Sequence, residues 1–88
     1  MFRLWCKIIS DNRLIDDNVI VDERNDTRTH KIFNAIETFC YEKNLSVPIW
    51  LDSNISDFKH FNKVRFNKDN FIEEIEFDYL EITIIEED

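Results

Sequence analysis

Apolar and polar positions alternate from the first residues of the chain. Phe2, Leu4, Cys6 and Ile8 share one phase, with Arg3, Trp5, Lys7 and Ile9 on the other, the period-2 pattern of a strand. Ser10-Asp11-Asn12-Arg13 is turn chemistry, because Asp and Asn bond their own backbone and tolerate positive φ. A second apolar run, Leu14, Ile15, Val19, Ile20 and Val21, surrounds Asp16-Asp17-Asn18. Together they predict an N-terminal hairpin whose second strand is irregular near the two aspartates.

The period then changes. After the charged loop 22–26, Asp26 or Thr27 can cap a helix. Ile32, Phe33, Ile36, Phe39 and Cys40 then fall on one face at i, i+4, i+7 and i+8 spacing. Lys43 suits the C-terminal end of the helix dipole. Asn44 can adopt the left-handed conformation that closes a helix, and Pro48 blocks continuation. This spacing predicts one central amphipathic helix at about 28–43. Beyond it, 49–51 reads as a short buried strand. Ser53 can open a helical turn or two through Ile55, Phe58 and Phe61. Residues 63–66 read as another short strand, and Asn67-Lys68-Asp69-Asn70 as a turn. The stretch 71–85 is rich in β-branched and aromatic residues. Ile75, Phe77 and Tyr79 keep one phase and Leu80, Ile82 and Ile84 the other, so a long strand with a bulge near Asp78 to Leu80 is expected. Asn70 and Glu73 also match a capping box, which leaves a helical start for 71–78 open. The outline is α+β: hairpin, central helix, short strands and a long C-terminal strand in a mostly antiparallel sheet, with the helix on one face.

Composition sharpens this picture. Eighty-eight residues suffice for a single domain, 1–88. Eight Phe, two Trp and thirteen Ile supply a core, and 43% hydrophobic content argues against disorder. Cys6 and Cys40 are too few and too far apart for a disulfide framework or a C-x-x-C motif, and free buried thiols suit a reducing cytoplasm. Triplets beginning at Asn25, Asn44 and Asn54 match glycosylation sequons, yet no secretory segment accompanies them, and no apolar run is long enough to span a membrane. The absence of Gly and the nine Asn resemble the output of A/T-rich codons, as in a low-GC bacterium or its phages and plasmids.

Charge is unevenly placed. Residues 1–44 hold seven basic and eight acidic side chains, residues 45–70 four and three, and residues 71–88 none and eight. The formal charge of −8 therefore resides in the last eighteen residues. Glu74, Glu76 and Asp78 would line one face of the final strand, with Glu73 and Glu81 nearby. Such a row reads first as a solvated face, then as a patch for a basic protein, then as a mimic of a phosphate backbone. Direct nucleic-acid binding is not expected of so acidic a chain. The segment 59–68 interleaves bases with aromatics, but internal pairing with the acidic strand is its expected role. Basic and acidic stripes meeting between two copies would instead make a homodimer. Trp5 lies on the phase opposite the core residues, where an indole marks an interface.

Chemistry is sparse. Without Gly, the phosphate-cradling loop, the dinucleotide fingerprint, the nucleophile elbow and the usual calcium loop are missing. His30 and His60 are the two residues suited to proton transfer near neutral pH, and neither stands at metal-ligand spacing from the cysteines. No catalytic residue, metal ligand or cofactor site is assigned.

The stretches Asp26-Thr27-Arg28-Thr29-His30-Lys31-Ile32-Phe33, Pro48-Ile49-Trp50-Leu51-Asp52 and Phe71-Ile72-Glu73-Glu74-Ile75-Glu76-Phe77-Asp78-Tyr79-Leu80-Glu81-Ile82 resemble an uncharacterised family of short proteins from clostridia and related low-GC anaerobes. The resemblance spans nearly the whole chain. It implies a bacterial cytoplasmic single-domain protein and no activity. The favoured expectation is a non-enzymatic interaction module that engages a protein partner or a second copy through Glu74, Glu76, Asp78, Glu81 and Trp5. A nucleic-acid-mimicking inhibitor from a mobile element, and a small enzyme without a recognisable motif, are the alternatives.

Overall fold

The computed structural model describes residues 1–87. Strands β1 (Phe2–Ser10) and β2 (Arg13–Asp22) are followed by helices α1 (Arg28–Glu42) and α2 (Asp52–Phe61). Strand β3 (Lys63–Phe66), a 3-10 turn (Lys68–Asn70) and strand β4 (Tyr79–Glu86) complete the chain. The strands lie in the order β2-β1-β4-β3, and every neighbouring pair is antiparallel.

The hairpin forms as the alternation predicts. Asp11 and Asn12 have φ of 52° and 62°, the two left-handed positions of a type I′ turn, whose twist matches that of the strands. The irregularity expected in β2 is a bulge: Ile8 pairs with Asp16 and Ile9 with Leu14, leaving Ile15 without a partner. Asn44 and Asn62 also have positive φ, so Asp and Asn serve every such position among the described residues of a chain without Gly. Replacing Asn12 with valine should therefore destabilise the fold by about 1–2 kcal/mol, since a Cβ branch is poorly tolerated there. Asn12→Gly should be neutral or slightly stabilising. Urea melts check both, and an unharmed N12V protein would show that the turn does not constrain the hairpin.

Helix α1 is capped at both ends. The Thr27 hydroxyl accepts the His30 backbone N–H at 3.2 Å. At the other end Leu45 N–H donates to the Cys40 carbonyl at 2.8 Å and Asn44 N–H to the Tyr41 carbonyl at 3.2 Å, a Schellman closure. Ile32, Ala35, Ile36, Phe39 and Cys40 bury one stripe against Phe2, Leu4, Cys6 and Ile8 of β1 and Leu80 and Ile82 of β4. Phe33 leaves that stripe and meets Trp50 edge to face at 6.0 Å.

Three expectations need correction. Residues 49–51 form no strand; they run as a loop in which Ile49 N–H donates to the Asn70 carbonyl at 2.6 Å. There are two helices, not one central helix, because the apolar turn beyond Ser53 extends over ten residues as α2, whose Phe58 enters the same core. The last strand begins at Tyr79, and 71–78 is neither strand nor helix. The cause lies in the neighbouring strand. Tyr79 pairs with Ile9, and Asp78 N–H donates to the Ile9 carbonyl at 2.9 Å, one residue before β1 ends at Ser10. Earlier residues have no strand edge to meet. They pack instead: Phe71 is buried and stacks edge to face on Phe77 at 5.9 Å. The shift of phase near Asp78 marks this entry into the sheet. The bulge of β4 lies at its other end, where Leu4 pairs with Ile84 and Arg3 with Glu86, leaving Ile85 unpaired.

Candidate interaction face

Both helices pack on one side of the sheet, since Ile32, Ile36 and Phe58 join the cluster formed by the even-numbered residues of β1. The odd-numbered residues face the other way. Residues paired across antiparallel strands share a face, so the register builds this open side row by row. Trp5 stands between Val19 and Thr83, and Thr83 pairs in turn with Lys63. Lys7 stands between Asp17 and Glu81, and Glu81 pairs with Arg65. Ile9 stands between Leu14 and Tyr79.

Strand β2 sends Ile20 toward the core but leaves its other apolar residues exposed. Its polar Asp16 and Asn18 lie on the helix side, where Lys43 bonds Asp16 at 3.0 Å and Asn18 donates to Glu42 at 3.1 Å. Its apolar Leu14, Val19 and Val21 lie on the open side, where they remain exposed. An apolar row turned away from the core is the unusual feature of this sheet.

The charges between these apolar groups are already paired. The Trp5 indole N–H donates to Asp17 at 2.9 Å, and the Lys7 ammonium sits 4.1 Å from the centre of the Trp5 ring. Lys7 reaches Glu81 at 2.6 Å and Arg65 reaches its other oxygen at 2.9 Å. Arg65 also covers Tyr79, and Arg3 pairs with Glu86 at 3.1 Å. Glu81, though on the uncovered face, has a side chain only 8% exposed. Desolvation pushes its carboxyl up, but the hydrogen bonds from Lys7 and Arg65 outweigh this and hold it below the usual Glu value. Beside Trp5, the hydroxyl oxygen of Thr83 is buried without a hydrogen-bond partner among the described residues.

The structure thus brings Trp5 and Glu81 together and separates the other three candidates from them. Glu74 and Glu76 lie in 71–78, lining a 370 Å³ groove with Lys43, Asn44 and Leu45 beside the end of α1. Asp78 accepts the Asp11 backbone N–H at 2.9 Å and so ties the hairpin turn to β4. Among the described residues the carboxylates do not form a single acidic strand face. Lys7, Asp17 and Val19 belong to the face and escape notice in the sequence, because their proximity depends on strand order, whereas Arg65 meets Glu81 as the pairing expected of 59–68.

The two histidines lie on the helices and the two cysteines in the core. His30 bonds Asp26 at 2.9 Å and His60 the Ser56 carbonyl at 2.7 Å. Burial, with smaller contributions from Cys40 and Glu42, raises the Cys6 thiol to about 12, and burial raises Cys40 to about 11, so both stay protonated. Among the described residues no three His, Cys, Asp or Glu side chains are grouped to hold a metal ion, and no helix is long and apolar enough to cross a membrane. Comparison with protein-family models, with curated proteins and with solved structures finds no match for this chain.

Proposed function

We propose that the protein is a non-enzymatic interaction module that works by pairing with a second copy through the open face of its sheet. The observation that carries this reading is the exposed apolar row of β2, Leu14, Val19 and Val21, which faces solvent beside Trp5 and Ile9. Burying that row would repay an exposure the fold does not need for its own core.

Charge favours a like partner. The face holds four cations (Arg3, Lys7, Lys63, Arg65) and three carboxylates (Asp17, Glu81, Glu86), close to balance on a chain of net −8. Two copies repel through the rest of their surfaces but meet here without stacking like charge. Covering the face also strands few charges, because most are bonded within it. Pairing through strand edges is disfavoured: the β2 edge carries a bulge and two adjacent aspartates, and the β3 edge is only 4 residues long. Strands of 9, 10, 4 and 8 residues give a footprint of roughly 500 Å² per copy. The total of about 1,000 Å² lies at the lower limit for a specific interface, so the dimer should be weak and concentration-dependent. The buried free thiols support a reducing compartment, the cytoplasm. Nothing in the carboxylate arrangement favours nucleic-acid mimicry, since these groups are divided between a loop, a turn and an ion-paired face.

Sedimentation equilibrium should show a monomer–dimer equilibrium at micromolar to submillimolar concentration, strengthened by salt as the like net charges are screened. Val19→Lys with Val21→Lys, both at exposed positions, should leave circular dichroism and melting little changed and abolish the dimer. A wild-type protein that stays monomeric throughout, or a folded double variant that still dimerises, would remove the open face from this proposal.

A further inference from the structure

A second surface, on the helix side, is independent of the pairing face. A groove of about 260 Å³ runs between α1 and α2. Its floor is apolar: Ile32 and Phe33 from α1, Ile55 and Phe58 from α2, and Trp50 from the loop between them. Trp50 is fixed by three edge-to-face neighbours, Phe66 at 5.0 Å, Phe58 at 5.6 Å and Phe33 at 6.0 Å. Ring positions held this firmly form a pre-shaped wall, which lowers the ordering entropy of binding.

Charged groups at this groove are of one sign. Arg28 and Lys59 contribute to its lining, and no carboxylate does. That is notable in a chain with 19 acidic and 11 basic residues. Two other grooves include carboxylates, Asp22, Glu23 and Glu37 in one and Glu73, Glu74 and Glu76 in the other. Lys59 makes no ion pair among the described residues, and the Trp50 indole N–H donates to none of them and is not buried. Arg28 is held in place by Glu87 at 2.6 Å and Asn62 at 2.8 Å, over the Phe58 ring.

We infer that this groove binds a small organic monoanion, an aromatic or short-chain carboxylate whose apolar body lies on Trp50 and Phe33 and whose carboxylate meets Lys59 and Arg28. Monoanion follows from the charge: Glu87 offsets one of the two cations, leaving a net of one positive charge. Small follows from the volume, which falls short of the roughly 300–1,000 Å³ of sites for drug-sized ligands. A single ring with a short acid arm fills it. Glu87 is the built-in competitor, drawing Arg28 away from the ligand.

The two tryptophans make the test selective. In a ¹⁵N-resolved NMR titration of the full chain with 3-phenylpropionate, the Trp50 indole N–H and the Phe33 and Ile55 signals should shift and saturate. The Trp5 indole, bonded to Asp17 on the opposite face, should stay in place. Lys59→Glu should weaken binding about fivefold, the order expected for losing one partly exposed ion pair and adding a repulsion. Glu87→Gln should tighten it, and 3-phenylpropanol and acetate should each bind far less than the acid. Absence of a saturating Trp50 shift, equal binding of the alcohol, or equal movement of both indoles would overturn the inference.

Discussion

Asn70→Ala is expected to destabilise the protein by about 3–4 kcal/mol, a large part of the roughly 5–10 kcal/mol that holds a domain of this size. Asn70 is 2% exposed. Its amide nitrogen donates to the Ile49 carbonyl at 2.8 Å and to the Asn54 side-chain oxygen at 2.7 Å. Its amide oxygen accepts the Asn67 backbone N–H at 3.0 Å. Asn54 extends the network, accepting from Leu51 N–H at 2.9 Å and donating to the Arg65 carbonyl at 3.2 Å. Two asparagines therefore fasten the 49–51 loop, α2, β3 and the 3-10 turn to one another, and the backbone groups they satisfy are partly buried. Alanine leaves those groups unpaired, which is costlier than the loss of the bonds alone. Equilibrium urea unfolding measures the loss; a value under about 1 kcal/mol would show that water replaces the amide. Asn54→Ala combined with Asn70→Ala should lose less than the sum, because they share a bond.

The second large effect concerns Glu81. Glu81→Leu should cost about 2–3 kcal/mol, because it leaves the Lys7 ammonium on a half-buried surface without its nearest counter-charge. The value falls below the roughly 3–5 kcal/mol of a fully buried pair because Arg65 is largely exposed and resolvates. Adding Lys7→Met should recover most of the loss, since an apolar pair of similar length removes the stranded charge. A double variant as unstable as the single one would mean that Glu81 acts by shape. The carboxyls also set the acid limit. Glu81 lies below its ordinary 4.5, hydrogen bonding to Arg24 brings Asp22 from 3.8 down to about 2, and hydrogen bonding to His30 lowers Asp26. Each is depressed in the folded state, so the unfolded chain binds protons first as pH falls. Their contribution is complete above the unfolded values and drains away as pH drops from about 4.5 toward about 2. Denaturation at pH 7, 4 and 3 should show this decline, and it should be shallower in the Glu81→Leu, Lys7→Met variant. An unchanged slope would assign the acid limit to the other carboxylates.

Local signals carried well where the chain interacts with its near neighbours. The alternation of β1, the Asp11-Asn12 turn, the stripe of α1 and the Thr27 and Asn44 caps all act within a few residues, and all appear as the pattern predicts. Opposite charges paired across adjacent strands, expected between the basic segment and the acidic ending, are realised by Arg65 and Glu81. What failed depended on partners distant in sequence. Residues 71–78 have the composition of a strand, yet a strand needs an edge, and β1 has none left beyond Ile9. Helix α2 has a weak apolar stripe, with Asn54 buried for hydrogen bonding, so periodicity understates its length. Glu81 looks solvated in an acidic run and is covered only because Lys7 and Arg65 arrive from β1 and β3. The open face was visible as the phase of Trp5, but its row of valines required the register of β2.

The position of β4 bears on how the molecule comes into being. Strand β4, which follows the other described elements along the chain, lies between β1 and β3, so β3 has no neighbour to zip onto before residues 79–86 leave the ribosome. Until then the nascent chain holds a lone hairpin and two helices lacking the floor they rest on. Consolidation is therefore a late, cooperative event with long loops to close, a topology that slows folding.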